Sequence, residues 1–377
     1  MLAGTGLPFL FAAILSGQPP AEPPVVSPVL ERFQIAKGGD LILVPVKLGS
    51  RKRMFVLDTG ASNTVVDRQL LAGDAASVGR VLTAGGPSYV EIFPVPDATV
   101  GSLGFKGVDK VLGMNMAPLR EASGLPIEGA LGMDFLSHFV VRVDFDKGEL
   151  CFLSTSDSRS GTMIPLVDGD DASDSPHVRG SVGGIERIPF LVDTGHDITS
   201  TGDLDTATFD LLKKWNDLRI LGPAQTRGAS GDRSVQKGES GVLAVGEVRV
   251  DRPVWSSGSR PILGLGFLSR YVVTFDFRKG VMYLRPGLDV ARPDLQDASG
   301  LAILHKNGAP MVDQVYAGSP GDKAGVKPGD VVLRVGDVSA GTGSLFGLRK
   351  ALCGRGQIPV TVRRGDKELA FTLHVGP

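Results

Sequence analysis

Short apolar runs alternate with polar turns along most of the chain. The runs at 41–46 (LILVPV) and 139–145 (FVVRVDF) are rich in β-branched residues and are too short for helices. Polar triplets ending in glycine are found after such runs, as DKG is at 146–148 and RKG at 278–280. Such triplets are typical of tight reversals between strands. The pattern therefore predicts a mainly β protein.

The stretch 205–216 has helical periodicity instead. Phe209, Leu212 and Trp215 fall on one face of a helix there, and Asp205 stands where an N-cap side chain is needed. We expect a helix at this place.

An internal repeat covers much of the chain. Residues 131–152 (LGMDFLSHFVVRVDFDKGELCF) align without gaps with residues 263–284 (LGLGFLSRYVVTFDFRKGVMYL), with 11 identities in 22 positions. Upstream, MFVLDTG at 54–60 matches PFLVDTG at 189–195. The polar segment 154–175 is predicted to connect the two halves. Two copies of one architecture therefore stand in tandem.

Composition narrows the classes of function. Hydrophobic residues make up 42% and charged residues 21% of 377, which favours packed domains over disorder. The net charge of −1 argues against a nucleic-acid partner. Cys151 and Cys353 are too few for a disulfide framework, and the histidines show no metal-binding spacing. We expect no metal and no cofactor.

The N-terminus carries an apolar run at 2–15, followed by a proline-rich stretch at 19–24. Fourteen residues are too few to span a bilayer but fit the core of a secretory signal, here 1–21. No other segment is predicted to be transmembrane. However, no Lys or Arg precedes Arg32, so the charged start of such a signal is missing. We expect an exported protein, periplasmic or extracellular, with cytoplasmic retention as the alternative.

Each repeat contains an apolar strand that runs into Asp-Thr-Gly, at 58–60 and at 193–195. If the halves pack about a pseudo-twofold axis, Asp58 and Asp193 meet there and share one proton, because two adjacent carboxylates cannot both ionise. The pair then activates a water molecule without a metal. A single copy would be weak support, since it also fits an ordinary β-turn. The predicted supporting residues are Thr59, Gly60, Ala61, Thr194, Gly195 and His196.

The motifs VLDTGAS (56–62) and LVDTGHD (191–197) resemble those of retropepsin-like and pepsin-like aspartic proteases. The apolar-apolar-glycine elements of that family are matched at 130–132 and 262–264. The resemblance implies a bilobal, pseudo-twofold pair of β-barrel lobes, here 30–154 and 155–288. It implies that a peptide or protein substrate is cleaved between them.

The same resemblance implies a hairpin flap, placed at 83–90 with Tyr89 as the candidate tip, and a matching lobe 2 loop at 226–234.

Ala61 and His196 are the residues that directly follow the two Asp-Thr-Gly motifs. His196 departs from the small residue usual after Asp-Thr-Gly. It is interpreted as a partly exposed turn residue, as an imidazole that tunes the dyad, or as a sign of a degenerate lobe. Ala61 offers no hydroxyl, which should raise the pKa of the dyad, whereas a protonated His196 would lower it.

Residues 297–377 are predicted to form a separate small α+β domain. The spacing SPGDKAGVKPGD at 319–330 resembles bacterial-type PDZ domains. The resemblance implies a groove between a strand and a helix at 344–352, which binds a C-terminal peptide. The alternative is a packing domain with a closed groove. The predicted peptide-binding residues are Gly300, Leu301, Ala302 and Ile303.

Two functions remain open from the sequence. The first is an aspartic endopeptidase whose PDZ domain tethers substrates or regulates access. The second is a catalytically silent scaffold that binds peptides in the cleft and the PDZ groove. Assembly of the dyad by dimerisation is a third possibility, which two lobes in one chain make unnecessary.

Overall fold

The computed structural model describes residues 28–83, 86–156, 160–169, 174–196, 199–228, 231–341 and 344–376. The expected signal peptide at 1–21 lies outside these residues. The described chain is mainly β, with two similar lobes and a small α+β domain, as predicted.

Lobe 1 and its flanking strands are formed by the first repeat. Its elements are β1 (Val29–Gln34), β2 (Leu43–Leu48), β3 (Arg51–Leu57), β4 (Val65–Asp67), β5 (Ser77–Thr83), β6 (Gly86–Phe93), β7 (Ala98–Val100), β8 (Leu103–Gly104), β9 (Val111–Met114), α1 (Ala117–Ser123), β10 (Gly129–Leu131), α2 (Met133–Leu136), β11 (Val140–Asp144) and β12 (Glu149–Leu153). A 3₁₀ turn at Arg68–Leu70 follows β4.

Lobe 2 is formed by the second repeat. Its elements are β13 (Thr162–Pro165), β14 (His177–Val182), β15 (Ile185–Val192), β16 (Gly202–Asp205), α3 (Thr206–Lys214), β17 (Leu218–Gly228), β18 (Gly231–Ser240), β19 (Val242–Val245), β20 (Val248–Asp251), β21 (Val254–Gly258), β22 (Ile262–Leu263), α4 (Leu265–Leu268), β23 (Tyr271–Asp276) and β24 (Val281–Pro286). A 3₁₀ turn at Phe277–Lys279 precedes β24.

The small α+β domain, which the sequence predicts to be PDZ-like, completes the chain. Its elements are β25 (Leu301–Lys306), β26 (Ala309–Val315), α5 (Pro320–Ala324), β27 (Val331–Val335), β28 (Val338–Ser339), α6 (Leu345–Leu352), β29 (Gly356–Arg364) and β30 (Lys367–Val375). Its sheet has the order β25-β26-β27-β29-β30, with β28 beside β27. Its core is a separate cluster that includes Ile303, Leu348 and Val360.

The two lobes have the same topology. Lobe 1 has the strand order β5-β6-β9-β4-β10-β3-β2-β7-β8, and lobe 2 has β17-β18-β21-β16-β22-β15-β14-β19-β20. A further sheet, β1-β12-β11-β23-β24-β13, joins them. At its centre Arg142 pairs with Thr274, and these residues are equivalent in the sequence repeat. The pseudo-twofold axis therefore passes through this pair.

The interpretation of 154–175 as a plain connection needs correction. It contains β13, which pairs with β24 and occupies the place that β1 has beside β12. The apolar pattern of β13 is short, because it is an edge strand in which only Ile164 is buried. Symmetry of the joining sheet, which sequence patterning does not reveal, accounts for this strand.

The helix predicted at 205–216 is present as α3. Asp205 caps it by accepting a hydrogen bond from the Thr208 backbone N–H. Phe209 and Leu212 are buried as predicted. Trp215 was expected on the same face, but it lies past the helix end and is 52% exposed.

The segment between lobe 2 and the PDZ domain is fixed to lobe 2. The Asp294 carboxylate accepts hydrogen bonds from Arg270 Nη2 and the Val254 backbone N–H, both at 2.6 Å, and one from Thr201 Oγ1. Arg270 and Asp294 are both buried. Paired and buried charges of this kind hold a segment in one position.

Two absences apply to the described part of the chain. None of its helices is both long and apolar enough to cross a bilayer. In the same residues, no cluster of three or more His, Cys, Asp or Glu side chains is placed to hold a metal ion.

Candidate active site

Asp58 and Asp193 stand directly after β3 and β15, which are equivalent inner strands of the two lobes. The Asp58 backbone N–H donates to Leu131 O and that of Asp193 to Leu263 O, both at 3.0 Å. The two acceptors belong to the apolar-apolar-glycine elements, which run parallel to the aspartate strands. Buried strands therefore hold both aspartate backbones from equivalent directions.

The two motif threonines cross-link the lobes. Each threonine Oγ1 accepts a hydrogen bond from the backbone N–H of the other threonine, at 3.0 Å in both directions. Thr59 Oγ1 also donates to Val192 O, and Thr194 Oγ1 donates to Leu57 O, both at 2.7 Å. Both threonines are fully buried. Four satisfied bonds about the axis fix the two loops to each other.

The carboxyl groups of Asp58 and Asp193 meet at the axis and are hydrogen-bonded to each other. A Cβ atom on Gly60 would lie 2.5 Å from Asp193 Cγ, and one on Gly195 would lie 2.6 Å from Asp58 Cγ. Only glycine leaves room for the opposite carboxyl group. This reciprocal packing explains why the motif needs glycine in both lobes.

Backbone donors orient the two carboxyl groups. Asp58 Oδ1 accepts from the N–H groups of Gly60 (2.9 Å) and Ala61 (3.1 Å), and Asp193 Oδ1 accepts from Gly195 N–H (2.7 Å). Both aspartates remain partly open to solvent, unlike the threonines below them. A water molecule can therefore reach the pair.

Burial raises the pKa of Asp58 well above its usual value. The charge of Asp193 and the hydrogen bond to its carboxyl group raise this pKa further, and the N–H groups of Gly60 and Ala61 lower it only in part. Asp58 therefore keeps its proton to a higher pH than an ordinary aspartate, next to a second carboxyl group. The arrangement can supply an acid and a base at one point.

The loop after Asp58 is anchored by α2. Asp134 Oδ2 accepts from Thr64 N–H (2.8 Å) and Oδ1 accepts from Thr64 Oγ1 (2.7 Å). Thr64 Oγ1 in turn accepts from Gly132 N–H at 3.2 Å. Burial raises the pKa of Asp134 in spite of these bonds. The lobe 1 loop is therefore held from beneath, by its own lobe.

The His196 side chain points into lobe 2, toward Asp203. Its side chain is 16% exposed, and its Nε2 lies 3.1 Å from Asp203 Oδ1. Asp203 is buried and its other oxygen accepts from Arg233 Nη2 at 3.0 Å. Burial would raise the pKa of Asp203, but the charges and hydrogen bonds of His196 and Arg233 lower it below its usual value.

Tyr89 lies on the β5–β6 hairpin, which has the position predicted for the flap. It pairs with Arg80, three positions before the last described pair of the hairpin, Thr83 with Gly86, and its side chain is 81% exposed. Beside it is a cavity of about 500 Å³, lined in part by Glu91. Residues 84 and 85 of this hairpin, and 229 and 230 of the lobe 2 hairpin, lie outside the described residues. The flap-tip role of Tyr89 stays a prediction.

The predicted PDZ residues lie apart from the aspartates, in their own domain. Gly300 has φ +73°, and Leu301–Lys306 form β25 at the edge of the sheet. The Leu301 backbone N–H donates to Ser299 Oγ at 3.2 Å. Ile303 O accepts from Arg349 Nη2 (2.5 Å) and Nε (3.2 Å), which reach across from α6. The groove is therefore bridged by its own arginine.

The same face of the PDZ domain is packed against lobe 1. A Cβ atom on Gly124, the C-cap of α1, would lie 2.9 Å from Leu345 Cβ and 3.6 Å from His305 Cβ. Phe346 packs against the core shared by the lobes. The small domain is therefore packed on the two lobes through residues of β25 and α6.

Several residues of the site were not predicted. Asp134, Asp203, Arg233 and Arg349 carry the contacts described above. The repeat alignment holds a signal for the first, because Asp134 faces Gly266 within an otherwise conserved block. The others have no local signal, since their partners are 7 to 46 residues away in the sequence.

Comparison with protein families agrees with this geometry. Residues 44–135, which include Asp58 and its loop, match the family model described as aspartyl protease. Residues 311–364 match the PDZ domain model. The curated proteins gave no match. The chain therefore contains an aspartyl protease domain of the retropepsin-like kind and a PDZ domain.

Proposed function

We propose that this protein is an aspartic endopeptidase that hydrolyses peptide bonds between Asp58 and Asp193. The observation that carries the proposal is the pair of hydrogen-bonded carboxyl groups, set on mutually bonded threonine loops. Burial and the neighbouring like charge both disfavour ionisation of Asp58, so the pair costs free energy of folding at neutral pH. Such a cost is typical of catalytic sites. The protease family match of lobe 1 supports the same reaction class.

The chemistry follows from one proton shared by two carboxyl groups. Asp58, whose pKa is raised, holds the proton and donates it to the carbonyl oxygen of the scissile bond. The Asp193 carboxylate takes a proton from the water that attacks the carbonyl carbon. The tetrahedral intermediate then breaks down as Asp193 passes its newly acquired proton to the amide nitrogen, the C–N bond breaks and the amine leaves. The ionised Asp58 takes back a proton from a hydroxyl group of the intermediate as the carbonyl of the new carboxyl group forms, so the pair again holds one proton.

The PDZ domain is proposed to bind the C-terminal end of a substrate or of a regulatory protein. The peptide would add as a strand beside the edge strand β25, and because α1 of lobe 1 packs against β25, binding requires this contact to open. Arg349 must first leave Ile303 O, so binding and release of this arginine are coupled. We also propose that the protein is exported to the periplasm or the extracellular space, with retention in the cytoplasm as the alternative.

The scaffold reading remains the second candidate. It is favoured by His196, which stands where lobe 1 has Ala61 and departs from the small residue of the family motif. A scaffold would bind peptides in the cleft without cleaving them.

Peptide cleavage by the full chain distinguishes the two functions. Wild type and Asp58→Asn are incubated with a mixed peptide library from pH 3 to 8, with and without pepstatin. We expect pepstatin-sensitive cleavage by wild type and a loss of about 10⁴-fold in the variant. Cleavage that survives Asp58→Asn contradicts the mechanism, and peptide binding without any cleavage supports the scaffold.

A further inference from the structure

The loop after the lobe 2 aspartate lacks the anchor that lobe 1 has. Gly266 stands where lobe 1 has Asp134, and a Cβ atom there would lie 1.9 Å from Ser200 O. No carboxylate can therefore extend from this position to the loop. The lobe 2 loop has to be held by other groups if Asp193 is to stay in place.

A buried carboxylate inside lobe 2 takes part in this task. Asp203 pairs with Ile262 in the sheet, as Val65 pairs with Ala130 in lobe 1. Because Ala130 and Ile262 are equivalent in the repeat, Asp203 occupies the place of the buried Val65. A buried charge costs free energy at an ordinary core position unless its partners compensate. Here the partners are His196 and Arg233.

The lobe 2 hairpin supplies the cations. Arg233 and Lys237 lie four residues apart on β18, so both side chains point to the same face of the hairpin. Arg233 reaches Asp203, and Lys237 Nζ donates to Thr199 O at 2.7 Å. Side chains of β18 thus bind both ends of the segment 199–203. In lobe 1 the equivalent loop is bound by Asp134 of α2 instead.

We propose that Arg233 and Asp203 are positioning residues, which hold the lobe 2 catalytic loop through His196 and tie it to the β17–β18 hairpin. The inference rests on the proposed peptidase function. His196 is adjacent to the Asp193-Thr194-Gly195 loop, and its backbone O accepts from Leu265 N–H. Its ring also packs on Gly264, where a Cβ atom would lie 2.5 Å from Nδ1.

The first test is hydrogen exchange of the full chain with Arg233→Met, which keeps an unbranched apolar stem but removes the guanidinium group and its charge. We expect faster exchange in 199–205 and in β17–β18, with no change in the β5–β6 hairpin of lobe 1. Arg219→Met is the matched control, because Arg219 is on the same hairpin but pairs with Glu239. Unchanged exchange in 199–205 would overturn the inference, whatever the activity.

The second test separates kcat from KM. A displaced Asp193 should lower kcat, by up to about 100-fold for a shift near 1 Å, with a much smaller change in KM. Arg233→Lys, which keeps a charge at Asp203, should restore part of the kcat lost in Arg233→Met. If Arg233→Met does not fold, Asp203→Asn provides the same comparison, since it keeps the shape and removes the charge.

The outcomes distinguish this inference from the proposed function. Activity that is lost in Asp58→Asn but unchanged in Arg233→Met overturns the positioning role and leaves the peptidase standing. Faster exchange at 199–205 without any cleavage by wild type overturns the peptidase but supports the physical tie. A kcat loss that Arg233→Lys does not restore at all speaks against the charge of Arg233 as the cause.

Discussion

The two lobes share the groups at the axis and differ in what supports them. Thr59 and Thr194 make reciprocal bonds of equal length, and each glycine of the motif leaves room for the opposite carboxyl group. Beneath this layer, lobe 1 uses Asp134 on α2, whereas lobe 2 uses Asp203 and two cations from a hairpin. The difference shows that the symmetry of the two lobes covers the groups at the axis but not the side chains that support them.

The largest expected effect tests the Asp-Thr-Gly groups at the axis, which are the same in both lobes. Gly60→Ala and Gly195→Ala each place a methyl group on the opposite carboxyl group. Both should lower kcat by about 100-fold or more, because the carboxyl groups must separate. Gly104→Ala is the control, since nothing lies within 4 Å of a Cβ atom there. A large loss in one lobe with none in the other would contradict a shared site.

The next effect tests the side chains that support the catalytic loops and that differ between the lobes. Asp134→Ala removes two hydrogen bonds to Thr64 and should reduce the free energy of unfolding by about 2 kcal/mol. Activity should fall as the lobe 1 loop loosens. Asp134→Asn keeps an acceptor for Thr64 and should cost less. Denaturant unfolding measures both, and equal stability of the two variants would rule out the hydrogen bonds as the cause.

A smaller effect concerns the cost of the charged pair. The raised pKa of Asp58 means that the folded state retains a proton that the unfolded chain releases, so stability falls as pH rises above the ordinary aspartate value of about 3.9. Asp58→Asn removes this cost. Its melting temperature should exceed that of wild type at pH 7 and approach it near pH 3 in calorimetry. A lower melting temperature at pH 7 would contradict the raised pKa.

The smallest effect lies in the PDZ domain, which contacts lobe 1 through α1 and lobe 2 through its fixed linker. Arg349→Ala frees Ile303 O, so a C-terminal peptide selected from a displayed library should bind about fivefold more tightly. Arg355→Ala is the control, because Arg355 is exposed just past α6. Weaker binding in Arg349→Ala would show that the arginine contacts the ligand instead.

The two Asp-Thr-Gly motifs at the axis could be predicted from the sequence, because each is a short continuous stretch of the chain. Asp-Thr-Gly after an apolar strand, repeated at nearly constant spacing, implies the two lobes and the aspartate pair. The helix at Thr206–Lys214 and its Asp205 cap were predicted for the same reason. Local patterns of this kind survive without any knowledge of tertiary contacts.

The supporting layer could not be predicted, because its bonds join residues that are distant in the chain. Asp203 has no apolar or polar pattern that distinguishes it from a surface aspartate, yet it is buried in a strand. Its charge is tolerated only because Arg233 arrives from a hairpin 30 residues later. Strand β13 was missed on similar grounds, since its place depends on the symmetry of the joining sheet.

The central claim is that Asp58 and Asp193 hold one proton between them. Carbon-13 NMR of aspartate carboxyl groups, assigned with Asp58→Asn and Asp193→Asn, measures this directly. The account predicts a coupled pair in which one carboxyl group stays protonated well above the usual aspartate range. In Asp193→Asn the pKa of Asp58 should fall from its wild-type value, because the charge of Asp193 is gone, but stay raised by burial. Two independent titrations near the ordinary value of about 3.9 in wild type would contradict it.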